Sequence, residues 1–237
     1  MKKDIRIAGI ISSPKFNGNT STLVREALKG AEDEGAIITE IFLPQYRIEH
    51  CTGCFRCLAE GKCHIADDFE TIRNVLCDTD GIILGSPTHA FTFNSIMKTL
   101  WDRLGFFEFL TCSVAGGKYV VGISAALGMG HKKAAKELAS FATTGVFNRG
   151  YISGILGVGL GGKEVANNTT ILKRARDLGR KIVRDIIRGE QYPLQNPYSR
   201  LIKYFILQPL FRKIILTDKE DKTKGVYSEL KKKGLIK

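Results

Sequence analysis

The sequence predicts an α/β domain whose five-stranded parallel sheet is covered by helices on both faces. Two observations carry this. Short apolar runs of strand length alternate five times with helix-period runs between Ile5 and Arg188. Several of the short runs, such as Gly81–Gly85, are apolar throughout, as strands buried on both faces are. Crossovers should be right-handed, and five such units match the doubly wound order 2-1-3-4-5. In that order the ligand crevice lies beyond the carboxyl ends of the strands, at the switch between strands 1 and 3.

The elements follow in order. Ile5–Ile11 is the first strand, stopped by Ser12-Ser13-Pro14. After a polar turn, a helix sets Leu23, Val24, Ala27, Leu28 and Ala31 on one face and closes at Gly35. Ala36–Leu43 is the second strand, stopped by Pro44, and a cysteine-rich loop follows. Asp67-Asp68 opens a helix running through Leu76, because carboxylates suit the positive end of a helix. Gly81–Gly85 is the third strand, and the helix Asn94–Phe107 turns Ile96, Met97, Leu100 and Leu104 inward. Lys118–Ser124 is the fourth strand, followed by a helix from His131 to Phe141. Tyr151–Val158 is the fifth, and Ile171–Arg188 is the last core helix, ended by Gly189.

The chain has 237 residues, 43% of them hydrophobic and 25% charged, enough for one sizeable core. The domain is expected over 1–190, with an extension over 191–237. The net charge of +12 is concentrated in that extension, which holds 11 basic and 4 acidic side chains from Gln191 on. Such a balance suits an acidic protein, anionic lipid or nucleic acid. No RNA-binding module of basic and aromatic residues is visible, so nucleic acid is not expected. Within the extension, Leu201, Ile202, Phe205 and Ile206 form one apolar stripe; Leu210, Phe211, Ile214 and Ile215 form a second beyond Pro209. Arg200, Lys203, Arg212 and Lys213 stand opposite. The expectation is a helical element packed on its own domain or on a sister subunit. Peripheral contact with a membrane surface is the alternative. No apolar run reaches the length of a membrane span. The start, Met1 to Ile11, mimics a leader only faintly. Six cysteines without a leader point to a reducing, cytoplasmic setting.

Chemistry concentrates in three places. Four of the six cysteines, Cys51, Cys54, Cys57 and Cys63, fall in the pattern C-x2-C-x2-C-x5-C. That spacing suits an iron–sulfur cluster. A structural zinc site and a redox thiol pair remain open at this point. The loop after the first strand collects Ser13, Pro14, Lys15, Gly18, Asn19, Thr20 and Ser21 at a helix N-terminus, where free N–H groups and the helix dipole suit a phosphate. An ordinary helix cap is the alternative there. Pro87, Thr88 and His89 after the third strand, with Ser124 and Ala125 after the fourth, can present backbone groups to a planar ring. His89 is the only titratable candidate for catalysis beside such a ring. Cys77 and Cys112 read as small buried hydrophobes, and His50 and His64 as incidental neighbours of the cysteine loop.

A family resemblance joins these motifs over residues 1–190. Ser12-Ser13-Pro14-Lys15, Gly18-Asn19-Thr20 and Leu23 resemble the phosphate loop G-S-P-R-x-x-G-N-T-x-x-L of the NADPH-dependent FMN reductase-like flavoproteins. Pro87-Thr88-His89, Lys98 and Asp102-Arg103 are similar to their P-V-Y…K…D-R segment. The cysteine run followed by Asp67-Asp68 resembles the iron–sulfur flavoproteins, a subgroup known mainly from archaea and anaerobic bacteria. Three positions depart from the pattern: Ser12 for Gly, Lys15 for Arg, and His89 for Tyr.

The resemblance implies a flavodoxin-like fold that binds FMN without a covalent link. Ser13, Lys15, Asn19, Thr20 and Ser21 would hold the phosphate, and Pro87, Thr88 and His89 would face the ring. It further implies a [4Fe–4S] cluster on Cys51, Cys54, Cys57 and Cys63. Dimers or tetramers would bring the cluster of one subunit near the flavin of another. The expected activity is electron transfer from a one-electron carrier such as ferredoxin, or from NAD(P)H, to a small molecule or an oxygen species. Two alternatives stand beside it. One is an NAD(P)H-dependent FMN or quinone reductase with structural zinc. The other is a redox-sensing module docked by its basic tail.

Overall fold

The computed structural model describes residues 4–195 and 197–236. Met1, Lys2 and Lys3, where the leader-like run begins, lie outside the described residues. The sheet is parallel, with β1 (Arg6–Ile11), β2 (Ile37–Phe42), β3 (Gly81–His89), β5 (Tyr119–Ala126) and β6 (Tyr151–Gly159) in the order β2-β1-β3-β5-β6. This is the expected order of five core strands. The sixth is a short antiparallel piece, β4 (Thr92–Phe93), which pairs with the end of β3.

α1 (Asn19–Asp33) and α6 (Thr169–Arg188) cover one face. The core there joins Leu23, Val24 and Leu28 to Ile7, Ile83, Val121, Ile182 and Val183. The two helices touch backbone to backbone: a Cβ on Gly179 would lie 1.7 Å from the Ala27 carbonyl oxygen. α3 (Phe69–Cys77), α4 (Ser95–Thr111) and α5 (His131–Ala139) cover the other face, where Phe69, Ile72, Met97, Leu100 and Leu138 meet Ile10, Ile82, Leu84 and Val120. Both faces of β1 and β3 are therefore buried, which is why their runs are apolar throughout.

Three elements differ from the sequence expectation. β3 runs on to His89, because Ser86 and Pro87 still pair with Ser124 and Ala125 of β5. The residues read as a loop are thus a strand end, followed by a two-residue turn. Both residues of that turn, Ala90 and Phe91, have positive φ (45° and 64°), a conformation usually given to Asn or Gly. α4 runs four residues beyond Phe107, kinked at Gly105 (φ 47°, ψ −140°). The cysteine loop contains a short helix, α2 (Arg56–Glu60), entered through left-handed Phe55 (φ 57°) and left through Gly61.

Beyond α6 come α7 (Pro197–Ile202), a π-helical turn (Lys203–Leu207), α8 (Gln208–Thr217) and α9 (Lys224–Lys232). Ile215, Val226, Leu230 and Ile236 build a third apolar cluster with Phe107, Leu110, Val146 and Phe147. α9 lies directly against α2: a Cβ on Gly225 would meet the Gly61 backbone nitrogen at 2.3 Å. The apolar stripe at Leu201, Ile202, Phe205 and Ile206 is left open, with all four side chains at least half exposed among the described residues. No helix of the described residues is long and apolar enough to cross a membrane.

Candidate functional site

A cleft of about 350 Å³ opens at the carboxyl ends of the strands, beside the junction of β1 and β3. Ten of the residues read from the sequence line it: Ser13, Pro14, Lys15, Gly18, Asn19, Thr20, Pro87, Thr88, His89 and Ala125. Two do not. The Ser21 hydroxyl is buried and donates to the Lys15 carbonyl at 2.8 Å. The buried Ser124 hydroxyl donates to the Ser86 carbonyl at 2.8 Å and meets the Thr88 hydroxyl at 2.8 Å. Both shape the wall from behind.

The loop after β1 is fixed by its own bonds. Ser13 Oγ accepts from the Lys15 N–H and donates to the Lys15 carbonyl, both at 3.2 Å. The Gly18 N–H also donates to that carbonyl, at 3.1 Å. Asn19 uses its whole amide to tie down the loop after β6, donating to the Lys163 carbonyl (3.2 Å) and accepting from the Val165 N–H (2.8 Å). Its contribution to the cleft is thus its backbone N–H. α1 begins at Asn19 with no side chain capping its first turn and no acidic residue within it. The first turn of a helix leaves its N–H groups without helical partners, at the positive end of the dipole. The loop therefore offers an anion site made of main-chain N–H groups, with Thr20 and the exposed Lys15 beside it.

Asn94 holds the two walls together. Buried, it donates from its amide to the Ser12 carbonyl at 2.7 Å and caps α4 by accepting from the Met97 N–H at 3.2 Å. Its own N–H donates to Ser86 Oγ at 2.9 Å. Ser12, where the family pattern has Gly, donates through its buried hydroxyl to the Gly85 carbonyl at 3.2 Å. The opposite wall is apolar, with Ala126 at the end of β5, Leu127 after it, and Leu160 and Gly162 after β6. The sequence reading missed Leu160 and Gly162; the run Gly157 to Gly162, with four glycines in six residues, was the signal available. An anion cradle at one end and an apolar wall with a strand-end backbone at the other fit a phosphate-bearing planar ring such as FMN.

The cysteines lie apart from this cleft; none lines it. Cys51 and Cys54 are exposed, Cys57 and Cys63 half-buried. Burial, and then the neighbouring Cys63, Cys54 and Cys51, push the Cys57 thiol up to about 11. The Cys54 thiol is lowered, chiefly by the Arg56 N–H. Cys57 thus lies near the other three, although no three His, Cys, Asp or Glu groups of the described residues converge on a single ion. His64 Nδ1 lies 3.5 Å from Cys54 Sγ, and His50 Nδ1 lies 3.4 Å from the Thr99 hydroxyl.

Beneath this loop sits Arg103. Its side chain and that of Asp67 are both fully buried and paired. Arg103 also donates to the Glu49 carbonyl at 2.9 Å and to Cys63 Sγ at 3.3 Å. Its Nε–H has no hydrogen-bond partner among the described residues. Asp67 accepts from the Glu49 N–H at 2.8 Å and the Phe69 N–H at 3.0 Å. Burial raises the Asp67 carboxyl, but Arg103 and these two N–H groups outweigh it and hold it below the usual carboxylate range. Asp68 accepts from the Arg47 N–H at 2.7 Å. The two aspartates expected to open a helix therefore also fasten both ends of the cysteine loop. Of the outlying cysteines, Cys112 is buried and its thiol is pushed up to about 12 by that burial. Cys77 is half-buried and raised for the same reason.

Comparison with known proteins agrees with this geometry. The profile of the family described as NADPH-dependent FMN reductase matches residues 5–153. An iron-sulfur flavoprotein of Methanocaldococcus jannaschii is 33% identical over 189 residues, covering 75% of this chain and 95% of that protein. One of Archaeoglobus fulgidus is 31% identical, covering 75% of this chain and 79% of that protein. Among solved structures, a flavone reductase superposes with a TM-score of 0.63 at 19% identity, covering 79% of this chain and 66% of that one, which speaks for the fold. The chain belongs to the NADPH-dependent FMN reductase family, alongside proteins named iron-sulfur flavoproteins, and is an FMN-dependent oxidoreductase.

Proposed function

We propose that this chain moves electrons between a one-electron carrier and an acceptor, holding FMN in the cleft and a [4Fe–4S] cluster on Cys51, Cys54, Cys57 and Cys63. One observation carries the second half of that reading. Three thiols close enough to act on the fourth, Cys57, sit on a loop fastened by a buried Arg103–Asp67 pair whose arginine also donates to Cys63. A single zinc ion requires its ligands to meet around one point. A cluster seats each thiolate on its own iron, so the sulfurs need not converge. The donor set is all thiolate, as such clusters prefer. The orphaned Nε–H of Arg103 is a further buried donor beside the loop.

When bound, FMN supplies one- or two-electron chemistry and a cluster supplies one-electron chemistry. The chain's own part is to hold and separate them. The first turn of α1, with Thr20 and Lys15, takes the phosphate. Pro87–His89 and the loops after β5 and β6 hold the ring and exclude water from its face. His89, exposed at the rim, is the side chain placed to deliver or receive a proton there. The separation of the cysteine loop from the cleft favours a homodimer or homotetramer, in which one subunit's loop approaches its partner's cleft. Ferredoxin is the donor this arrangement suits. The family description favours NAD(P)H as the second candidate. A small molecule or an oxygen species is the acceptor, and the cytoplasm is the setting that keeps the thiols reduced.

The test is the anaerobic absorption spectrum of the purified protein with iron, sulfide and zinc analysis. Flavin bands over a broad iron–sulfur background are expected. Flavin with zinc and no iron would move the reading to a zinc-bearing reductase, and colourless protein would overturn it.

A further inference from the structure

The segment from Pro197 to Thr217 is inside out. Leu201, Ile202, Tyr204, Phe205, Ile206 and Leu210 are all at least half exposed. Arg200 and Lys203 turn the other way, while Arg212 and Lys213 stay exposed beside the face. The Arg200 guanidinium stacks over the Tyr151 ring at 5.2 Å, and that of Arg212 lies over the Phe147 ring at 5.8 Å. Lys203 Nζ donates to the Thr143 carbonyl. A helix resting on its own domain in water does the reverse. The local cause is legible. Pro209 has no N–H for the Phe205 carbonyl, and the preceding turn widens to a π-helix over Lys203–Leu207. That turn leaves Tyr204, Phe205 and Ile206 side by side in solvent. The segment is not a loose tail, because Ile215 behind it is fully buried in the cluster that also takes Val226 and Leu230.

We propose that this face docks on an anionic lipid surface. Charge decides the occupant. From Gln191 to Thr217 the chain has no Asp or Glu, yet it carries Arg200, Lys203, Arg212 and Lys213. Two copies joined face to face would add the exposed Arg212 and Lys213 of each, with no carboxylate from either segment to offset them. An anionic membrane offsets them directly. The apolar side chains enter the boundary of the acyl chains, while exposed Arg212 and Lys213 reach the headgroups from the shoulder of the helix. Tyr198 and Tyr204, both exposed, are the aromatic type that settles at such a boundary. The apolar surface also continues toward the cysteine loop. Phe211 contacts Phe106 (6.1 Å), which in turn contacts Phe55 (6.2 Å). Docking by this face thus brings the loop's side of the molecule toward the lipid. The segment lies beyond the family match, which ends at residue 153, so the proposal stands independently of the redox reading.

The experiment is co-sedimentation of the full holoprotein with vesicles of phosphatidylglycerol and phosphatidylcholine, against vesicles of phosphatidylcholine alone, at low and high salt. Binding to the anionic vesicles that weakens with salt is expected. Phe205→Ser and Ile206→Ser should each weaken it about tenfold or more. Arg212→Gln and Lys213→Gln should each weaken it about fivefold. Unchanged FMN content and melting temperature check that the variants fold. No binding by the wild-type protein, or equal binding by wild type and both serine variants, overturns the proposal. So does a change in oligomeric mass by light scattering for Phe205→Ser without any vesicle effect, which would assign the face to a second copy of the chain.

Discussion

The loops that follow β1 and β2 leave neighbouring strands at the same edge of the sheet, yet they are built by different means. The first is made of main chain. Ser13, Ser21 and Gly18 all bond to the Lys15 carbonyl, and the N–H groups of α1 stand ready before any anion arrives. The second is made of side chains. Arg103 and Asp67 fasten its base, but Cys51 and Cys54 stay in solvent, and burial with the three neighbouring thiols raises the cost of ionising Cys57. A backbone site is complete when its helix is complete. A thiolate site is finished only by the centre it binds, because four like charges cannot be held together without one.

The largest expected effect sharpens that contrast at the base of the second loop. Arg103→Met leaves Asp67 buried and unpaired, which costs about 3–5 kcal/mol. Urea unfolding of the protein without iron checks it, and a loss under about 1 kcal/mol would mean that the pair does not fasten the loop. Iron content should fall as well, while FMN binding at the separate cleft should survive in whatever fraction remains folded.

A smaller effect sharpens it at the first loop. Thr20→Ala removes one hydrogen bond to a charged group, worth about 1.5–3 kcal/mol. It should therefore weaken FMN binding roughly 10- to 150-fold and leave riboflavin, which has no phosphate, nearly unchanged. Equal losses for both flavins, read by fluorescence titration, would remove the phosphate from this loop. Asn19→Ala is expected to act indirectly, by loosening the loop after β6 that its amide holds.

What the sequence made legible follows the same division. Periodicity located the strands and the helix that opens at the first loop, because each depends on neighbours close in the chain. It failed where distant contacts decide. Pro87 looked like a loop residue after the strand, but it pairs with Ala125, and β4 then carries β3 on to His89. Asn94 looked like an ordinary helix start, but its amide reaches across 82 positions to Ser12. Asp67 looked like a helix-end charge until its pairing with Arg103 placed it in the base of the cysteine loop. The return of α9 onto α2 had no local signal, since an amphipathic pattern says that a face is buried and not against what. The tail stripe at Leu201 to Ile206 is a different case: the pattern called for a covering surface on this domain, a sister subunit or a membrane, and among the described residues the stripe stays at least half exposed.

If the two loops are independent sites, one substitution should separate them. Cys54 is exposed and lies outside the cleft, so Cys54→Ala should strip the iron–sulfur absorbance and the iron from the anaerobically purified protein while FMN stays bound at the wild-type ratio. Full iron content in that variant, or loss of FMN together with the iron, would contradict the assignment of one site to each loop.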